Sequence, residues 1–225
     1  MIDIPNTWLL FTIAFGIMLF ATYIMGLQSG KLYTKFVVQR TFSIMDLEFP
    51  TSALEMSKIL SGIFKIPDVA IQKASLRALK NQLLVDFFLF MPGAYGGIFI
   101  MSMKVASKMS SSFGYGAFIF FAWAQLLCFL LDVIENVYIW RKIVPDATPS
   151  SPQIFAAYKL LEVLKWGLSL LAAVCCFSSL LYFWITGHYA ASSYNYIIIA
   201  GVELVAFLAV SLLSKKPADP QSPKA

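Results

Sequence analysis

The sequence predicts an all-α protein: an integral membrane helical bundle of about five transmembrane helices with an amphipathic helix on its cytoplasmic side. Three observations carry this. The 225 residues are 59% hydrophobic and only 13% charged. Five apolar runs approach the ~20 residues that a spanning helix needs. The basic residues gather beside alternate ends of those runs. The runs cover 8–27, 83–103, 115–140, 166–186 and 194–213, and an amphipathic segment covers 41–82. A chain of this length leaves no room for a separate soluble domain, so 1–214 reads as one transmembrane domain. Residues 215–225, with Pro217, Pro220 and Pro223 among small and polar neighbours, are expected to form a disordered tail.

Each element has its own justification. The first run begins near Trp8 with only Asp3 before it and no basic flank, and it is longer than a signal-peptide core, so it reads as a retained span. After Pro50, Ser52 and Glu55 have the spacing of a capping box, and Met56, Ile59, Leu60, Ile63 and Phe64 recur on one helical face. That face needs cover from the bundle, from lipid headgroups or from a partner. Pro67 and Asp68 end this helix and start another, in which Lys73, Arg77 and Lys80 precede the second span and which is expected to continue into it. The second span carries Pro92, Gly93, Gly96 and Gly97. Gly93 and Gly97 have the G-x-x-x-G spacing that lets two backbones approach, and Pro92 marks a packing feature or hinge.

Of the seventeen basic residues, only Lys104 and Lys108 fall between the second and third runs, and none falls between the fourth and fifth. All others share the opposite side. Basic residues favour the cytoplasmic side, which places the N-terminus outside and the C-terminus inside, in a plasma or bacterial inner membrane. Trp8, Tyr115, Tyr182, Trp184, Tyr189, Tyr194 and Tyr196 would mark the outer interface, and Tyr138, Trp140 and Trp166 the inner one. The net charge of +5 is explained by this distribution. No basic run interleaved with aromatics points to nucleic acid, so membrane lipids are the expected partner. Cys128, Cys175 and Cys176 lie in apolar runs and read as packing residues.

Chemistry concentrates in the carboxylates inside the spans. Asp132, Glu135 and Asn136 stand at i, i+3 and i+4 on one face of the third span. A carboxylate at mid-bilayer costs ~2.5–3.5 kcal/mol, so these must face protein, water or a partner. Asp86 enters the second span from the same side. Glu162 and Lys165, spaced i, i+3, sit at the mouth of the fourth. Glu203 lies near the middle of the fifth and is the most isolated acid. These residues, Asp86, Asp132, Glu135, Asn136, Glu162 and Glu203, are the candidates for an ion or polar ligand, with helix glue as the alternative. No nucleotide loop, cofactor box or nucleophile triad is visible, so no catalytic residue and no cofactor is expected. With His188 as the one histidine, in a loop on the far side, no metal site is expected either.

The stretch VDFFLFMPGAY in the second span, followed by LDVIENVYIW in the third, resembles a loose group of uncharacterised bacterial membrane proteins. The resemblance covers residues 46–142, rests on Asp86, Tyr95, Asp132, Glu135 and Asn136, and implies no activity. The Asp-Gly and Ala-Arg framework of CDP-alcohol phosphotransferases is missing. The leading expectation is a non-enzymatic accessory or assembly subunit, with a membrane protein partner or self-association. The alternatives are a proton- or cation-linked transporter using the acidic cluster, and a lipid-modifying enzyme in which Asp132 or Glu135 is a base and Lys80 or Arg141 holds a phosphate.

Overall fold

The computed structural model describes residues 7–213, so Asp3 and the 215–225 tail lie outside the described residues. Helix α1 (Thr7–Ser29) comes first. A small antiparallel hairpin follows, β1 (Tyr33–Lys35) with β2 (Gln39–Thr41), Thr34 opposite Arg40. Next come the single turn α2 (Met45–Glu48) and α3 (Ala53–Ile63). Helix α4 (Val69–Val85) passes without a break through a π turn at Asp86–Phe90 into α5 (Met91–Ala106). Helices α6 (Ser112–Lys142), α7 (Pro152–Ile185) and α8 (Tyr194–Leu213) complete the described chain. α1, the α4–α5 rod, α6, α7 and α8 are each long and apolar enough to cross a membrane. The protein is therefore a membrane-spanning all-α bundle.

The hairpin, α2 and α3 lie at one end, with the basic residues from Lys31 to Lys80; this is the basic end. Ser52 caps α3 by accepting the Glu55 N–H at 3.1 Å. The Glu55 carboxylate closes on Thr51, accepting its hydroxyl at 2.5 Å and its N–H at 2.8 Å, so the expected box is displaced by one residue. The Thr51 hydroxyl, followed by the Thr51 N–H, holds Glu55 below the usual carboxylate range. The apolar face of α3 is covered by the protein itself: Met56, Ile59, Leu60 and Ile63 are buried with Leu32, Leu79, Ile139 and Tyr158. The hairpin completes this cap. Thr34 donates to the Ile59 carbonyl at 2.7 Å, and a side chain at Gly62 would collide with the Thr34 hydroxyl and, at 2.9 Å, the Lys35 carbonyl. Strands of three residues are too short for an alternating pattern to show, which is why the sequence reading has no hairpin.

One further boundary differs from expectation. α7 begins at Pro152, capped by Ser151, well before the apolar run at 166. Its first turns carry Lys159, Glu162 and Lys165, which hydropathy separates from the span although the backbone does not. The second span continues α4, as expected, and Pro92 does not interrupt the rod. The π turn already shifts the hydrogen bonding, with the Met91 N–H on the Asp86 carbonyl, so the missing proline N–H is absorbed at a widened turn. Gly93 lies directly on α1: a Cβ there would stand 2.8 Å from both the Ala14 carbonyl and the Met18 nitrogen. Gly97 is looser, 3.9 Å from Ala14 and 4.0 Å from Phe11.

The opposite end is closed by aromatics. Trp8 stacks on Trp184 at 5.0 Å, meets the edge of Tyr189 at 5.3 Å, and has the Lys104 ammonium 5.2 Å above its ring. Just past the end of α7, Gly187 has a φ of 72° that lets the His188 N–H turn back to the Phe183 carbonyl. Cys128, Cys175 and Cys176 are free, Cys128 and Cys176 buried. Helix α8 packs mainly on α1 and turns Ile198, Val202 and Val205 outward.

Candidate functional site

The polar residues of α6 and α7 meet because each helix carries them at helical spacing. On α6, Asp132, Glu135 and Asn136 share a face; on α7, Glu162, Lys165 and Ser169 share another. All six are buried. The Lys165 ammonium occupies the junction, 3.1 Å from Asp132 Oδ1, 3.2 Å from Glu162 Oε2, and paired also with Glu135 Oε2. Its residue is 2% exposed. A lysine buried this completely in a bundle holds its charge only against such partners.

Around this centre the network extends to two further elements. Tyr95 of α5 donates to Asp132 Oδ2 at 2.7 Å. Asn136 donates to Asp86 Oδ2 at 2.5 Å and places the same nitrogen 3.5 Å from the Met91 sulfur. Asp86 opens the π turn, where the wider backbone presents it toward α6. From the basic end, Glu48 of α2 joins, accepting from Trp166 Nε1 at 3.2 Å. Burial pushes the Glu48 carboxyl up to about 7, against the lowering effect of Lys165. α2 is anchored there by Tyr158, which donates to the Leu47 carbonyl at 2.9 Å, and by Phe49 beside the Trp166 ring.

Asp86, Asp132, Glu135, Asn136 and Glu162 are thus brought into one network, with Lys165 and Glu48 as members outside the candidate set. The sign of Lys165 was present in the sequence, since Glu162, Lys165 and Ser169 form a stripe at i, i+3 and i+7. Glu48, on a one-turn helix, leaves no periodic signal. Lys80 stands 5.5 Å over the Trp140 ring rather than beside the acids, so the phosphate-holding role considered for it has no geometry here.

Glu203 is elsewhere. It faces α1, with Oε1 3.0 Å from where a Cβ on Gly16 would be, in a cleft of about 250 Å³ shared with Leu19, Phe20, Tyr23 and Phe207. Its Oε2 is shielded and has no hydrogen-bond partner. Among the described residues no hydrogen bond or ion pair links Glu203 to the other acids, and α1 stands between α8 and the rest.

Two features determine what the network can do. First, carboxyl groups outnumber bases: Asp132, Glu135 and Glu162 share the Lys165 ammonium, and Glu48 and Asp86 stand in the same network outside ion-pair distance of it. Oxygens of Glu48, Glu135 and Glu162 lie within 4.8 Å of one another, the spacing of a cation site, but the Lys165 ammonium already pairs with two of the three. Second, the network lines a cavity of about 570 Å³, whose other walls include Met18, Phe90, Ala94, Ile98 and Leu170. That volume is in the range of small-molecule sites, and such sites combine apolar walls with a few polar groups.

Comparison with protein-family models, with curated proteins and with solved structures returns no match in any of the three.

Proposed function

We propose that this chain is a proton- or cation-linked transporter, with the Lys165 network as its ion site and the adjoining cavity as the place where a small molecule is held. One observation carries the reading: Glu48, Asp86, Asp132 and Glu135, carboxyl groups in surplus over the Lys165 ammonium, line a cavity of about 570 Å³. Acids that serve only as helix glue need neither the surplus nor the space. Charge at this depth is costly, so the surplus favours uptake of protons or of a cation, and each opposes the other. The concentration of Lys and Arg supports a reading with the basic end in the cytoplasm and the N-terminus outside, and we propose a bacterial inner membrane as its setting.

The test is proton movement in proteoliposomes loaded with a pH-reporting dye. A panel of alkali, alkaline-earth and organic ammonium cations is added outside, with protein-free vesicles as control. At least one cation should drive proton movement, and Asp132→Asn with Glu135→Gln should abolish it. No response to any cation, or an equal response from the double variant, removes the reading.

A second reading, an accessory or assembly subunit, is favoured by α8. This helix leans on α1 alone among its major contacts and holds a shielded Glu203 oxygen without a donor. A partner helix offering a basic or amide side chain would supply one. Photocrosslinking from Val202 and Ile198 in native membranes tests it, and a protein that stays monomeric and uncrosslinked removes it.

A further inference from the structure

The cavity beside the Lys165 network carries an unused acceptor. Gln82 lines it, is 2% exposed, and spends its amide nitrogen on α1: Nε2 donates to the Met25 carbonyl at 2.9 Å and to Ser29 Oγ at 2.8 Å. Those two acceptors identify the nitrogen and leave Oε1 buried with no hydrogen-bond partner. A buried carbonyl oxygen without a donor costs ~1–3 kcal/mol, which a ligand N–H or O–H would recover. One helical turn further along the same face stands Asp86, half-buried on the same wall. Its contact is the Asn136 amide, and no base among the described residues lies within ion-pair distance of it. Lys165 is committed to three other carboxylates. The wall therefore holds a buried, unpartnered carbonyl oxygen and a carboxyl group 4 residues apart, and a cationic donor would satisfy both.

The rest of the cavity says what that donor is attached to. Met18, Phe90, Ala94, Ile98 and Leu170 offer no ligand for an inorganic ion, which would have to shed its water against hydrocarbon. An anionic amphiphile would meet the carboxyl surplus. Resting on the cation-linked reading above, we propose that the cavity binds an amphiphilic ammonium, whose N–H groups donate to Gln82 Oε1 and Asp86 while its apolar body lies along Phe90, Ala94 and Ile98. The N–H requirement separates it from quaternary ammonium, which can satisfy Asp86 but not Gln82.

The test measures binding to the full chain in phosphatidylcholine nanodiscs, whose headgroups carry no N–H, with empty nanodiscs subtracted. Phenylbutylammonium is the probe; phenylbutanol and phenylbutyrate keep the body and change the head, and phenylbutyl-trimethylammonium removes the N–H. The primary ammonium should bind at least tenfold tighter than each of these. Asp86→Asn should weaken it tenfold or more, Asp86→Glu should retain it, and Ala94→Leu, which adds bulk to the apolar floor and replaces no acid, should weaken it as well. Nanodiscs containing phosphatidylethanolamine decide the source of the ammonium: competition assigns it to the lipid headgroup, and its absence to a free amine. Equal binding of the ammonium, alcohol and carboxylate forms overturns the proposal, as does binding indifferent to both Asp86→Asn and Ala94→Leu. Proton coupling is read separately in vesicles. Cation-driven proton movement with no head-group selectivity leaves the transporter reading standing without this ligand, whereas selective binding without proton movement leaves the ligand site standing without transport.

Discussion

Two intramembrane acid sites in this bundle have opposite surroundings. At the α6–α7 junction, Asp132, Glu135 and Glu162 surround Lys165, and Tyr95 adds a hydroxyl from α5. On α8, Glu203 faces the backbone of α1 at Gly16 and has an oxygen that no donor reaches. The two began with the same chemistry, an acid in an apolar run. What separates them is the number of neighbouring helices that bring a partner. An acid enclosed by several helices becomes part of a charged network that the fold depends on. One at the edge, with a single helical neighbour, depends on a proton or on something outside the chain.

The largest test of that contrast is Lys165→Met. Removing the ammonium leaves three buried carboxylates without their counter-charge, and breaking a buried pair in this way costs about 3–5 kcal/mol. Denaturant or thermal unfolding in detergent should show it as the most damaging single change in the protein. If Lys165→Met unfolds like the parent, the network is not structural and the contrast fails.

A smaller effect is expected at the helix that lies between the two sites. Gly93→Val puts a side chain against the α1 backbone at Ala14 and Met18 and should cost about 1–3 kcal/mol. Gly97→Ala, meeting α1 only at ordinary contact distance, should be nearly silent. Because α1 also carries Gly16, the Gly93 change should alter both acid sites together; an effect on unfolding no larger than that of Gly97→Ala would show that α1 does not couple them.

The network, in contrast with Glu203, also reaches an element outside the spans, and pH should show it. Burial raises Glu48 from its ordinary value of 4.5 to about 7. Between those limits the folded protein keeps a proton that the unfolded chain has lost. The stability from this group is therefore complete below pH 4.5 and disappears as pH rises through about 7. Glu48→Gln should flatten the fall in stability across that window, and an unchanged slope would detach α2 from the cluster. The smallest effect belongs to Glu203→Gln, which keeps the shape and removes only the ionisable group. It should shift unfolding by less than about 1 kcal/mol, and a loss as great as that of Lys165→Met would erase the difference between the sites.

Much of this arrangement is legible along the chain because it depends on spacing within one helix. Asp132, Glu135 and Asn136 share a face by the 3.6-residue turn alone, as do Gln82 and Asp86. The Asp68 cap on α4 and the Ser52 cap on α3 are local in the same sense. Lys165 was legible only as a neighbour of Glu162; its pairing with Asp132 and Glu135 depends on how α7 is rotated against α6. Glu48 could not be found that way, since a four-residue helix has no period. The hairpin was lost for the same reason, and the start of α7 because hydropathy reports on lipid contact rather than on where a helix begins.

By itself, the sequence determined that the chain enters a membrane as an all-α bundle, that five segments are apolar enough to cross, and that a few acids would have to be sheltered from lipid. Those properties follow from the cost of exposing polar groups to hydrocarbon and from the fixed pitch of a helix. Only the tertiary structure decided which acids meet a base, that a cavity opens beside them, and that Glu203 is left apart. These depend on the rotation and approach of whole helices, through contacts such as Gly93 on α1, and no repeat along one helix encodes its orientation to the next.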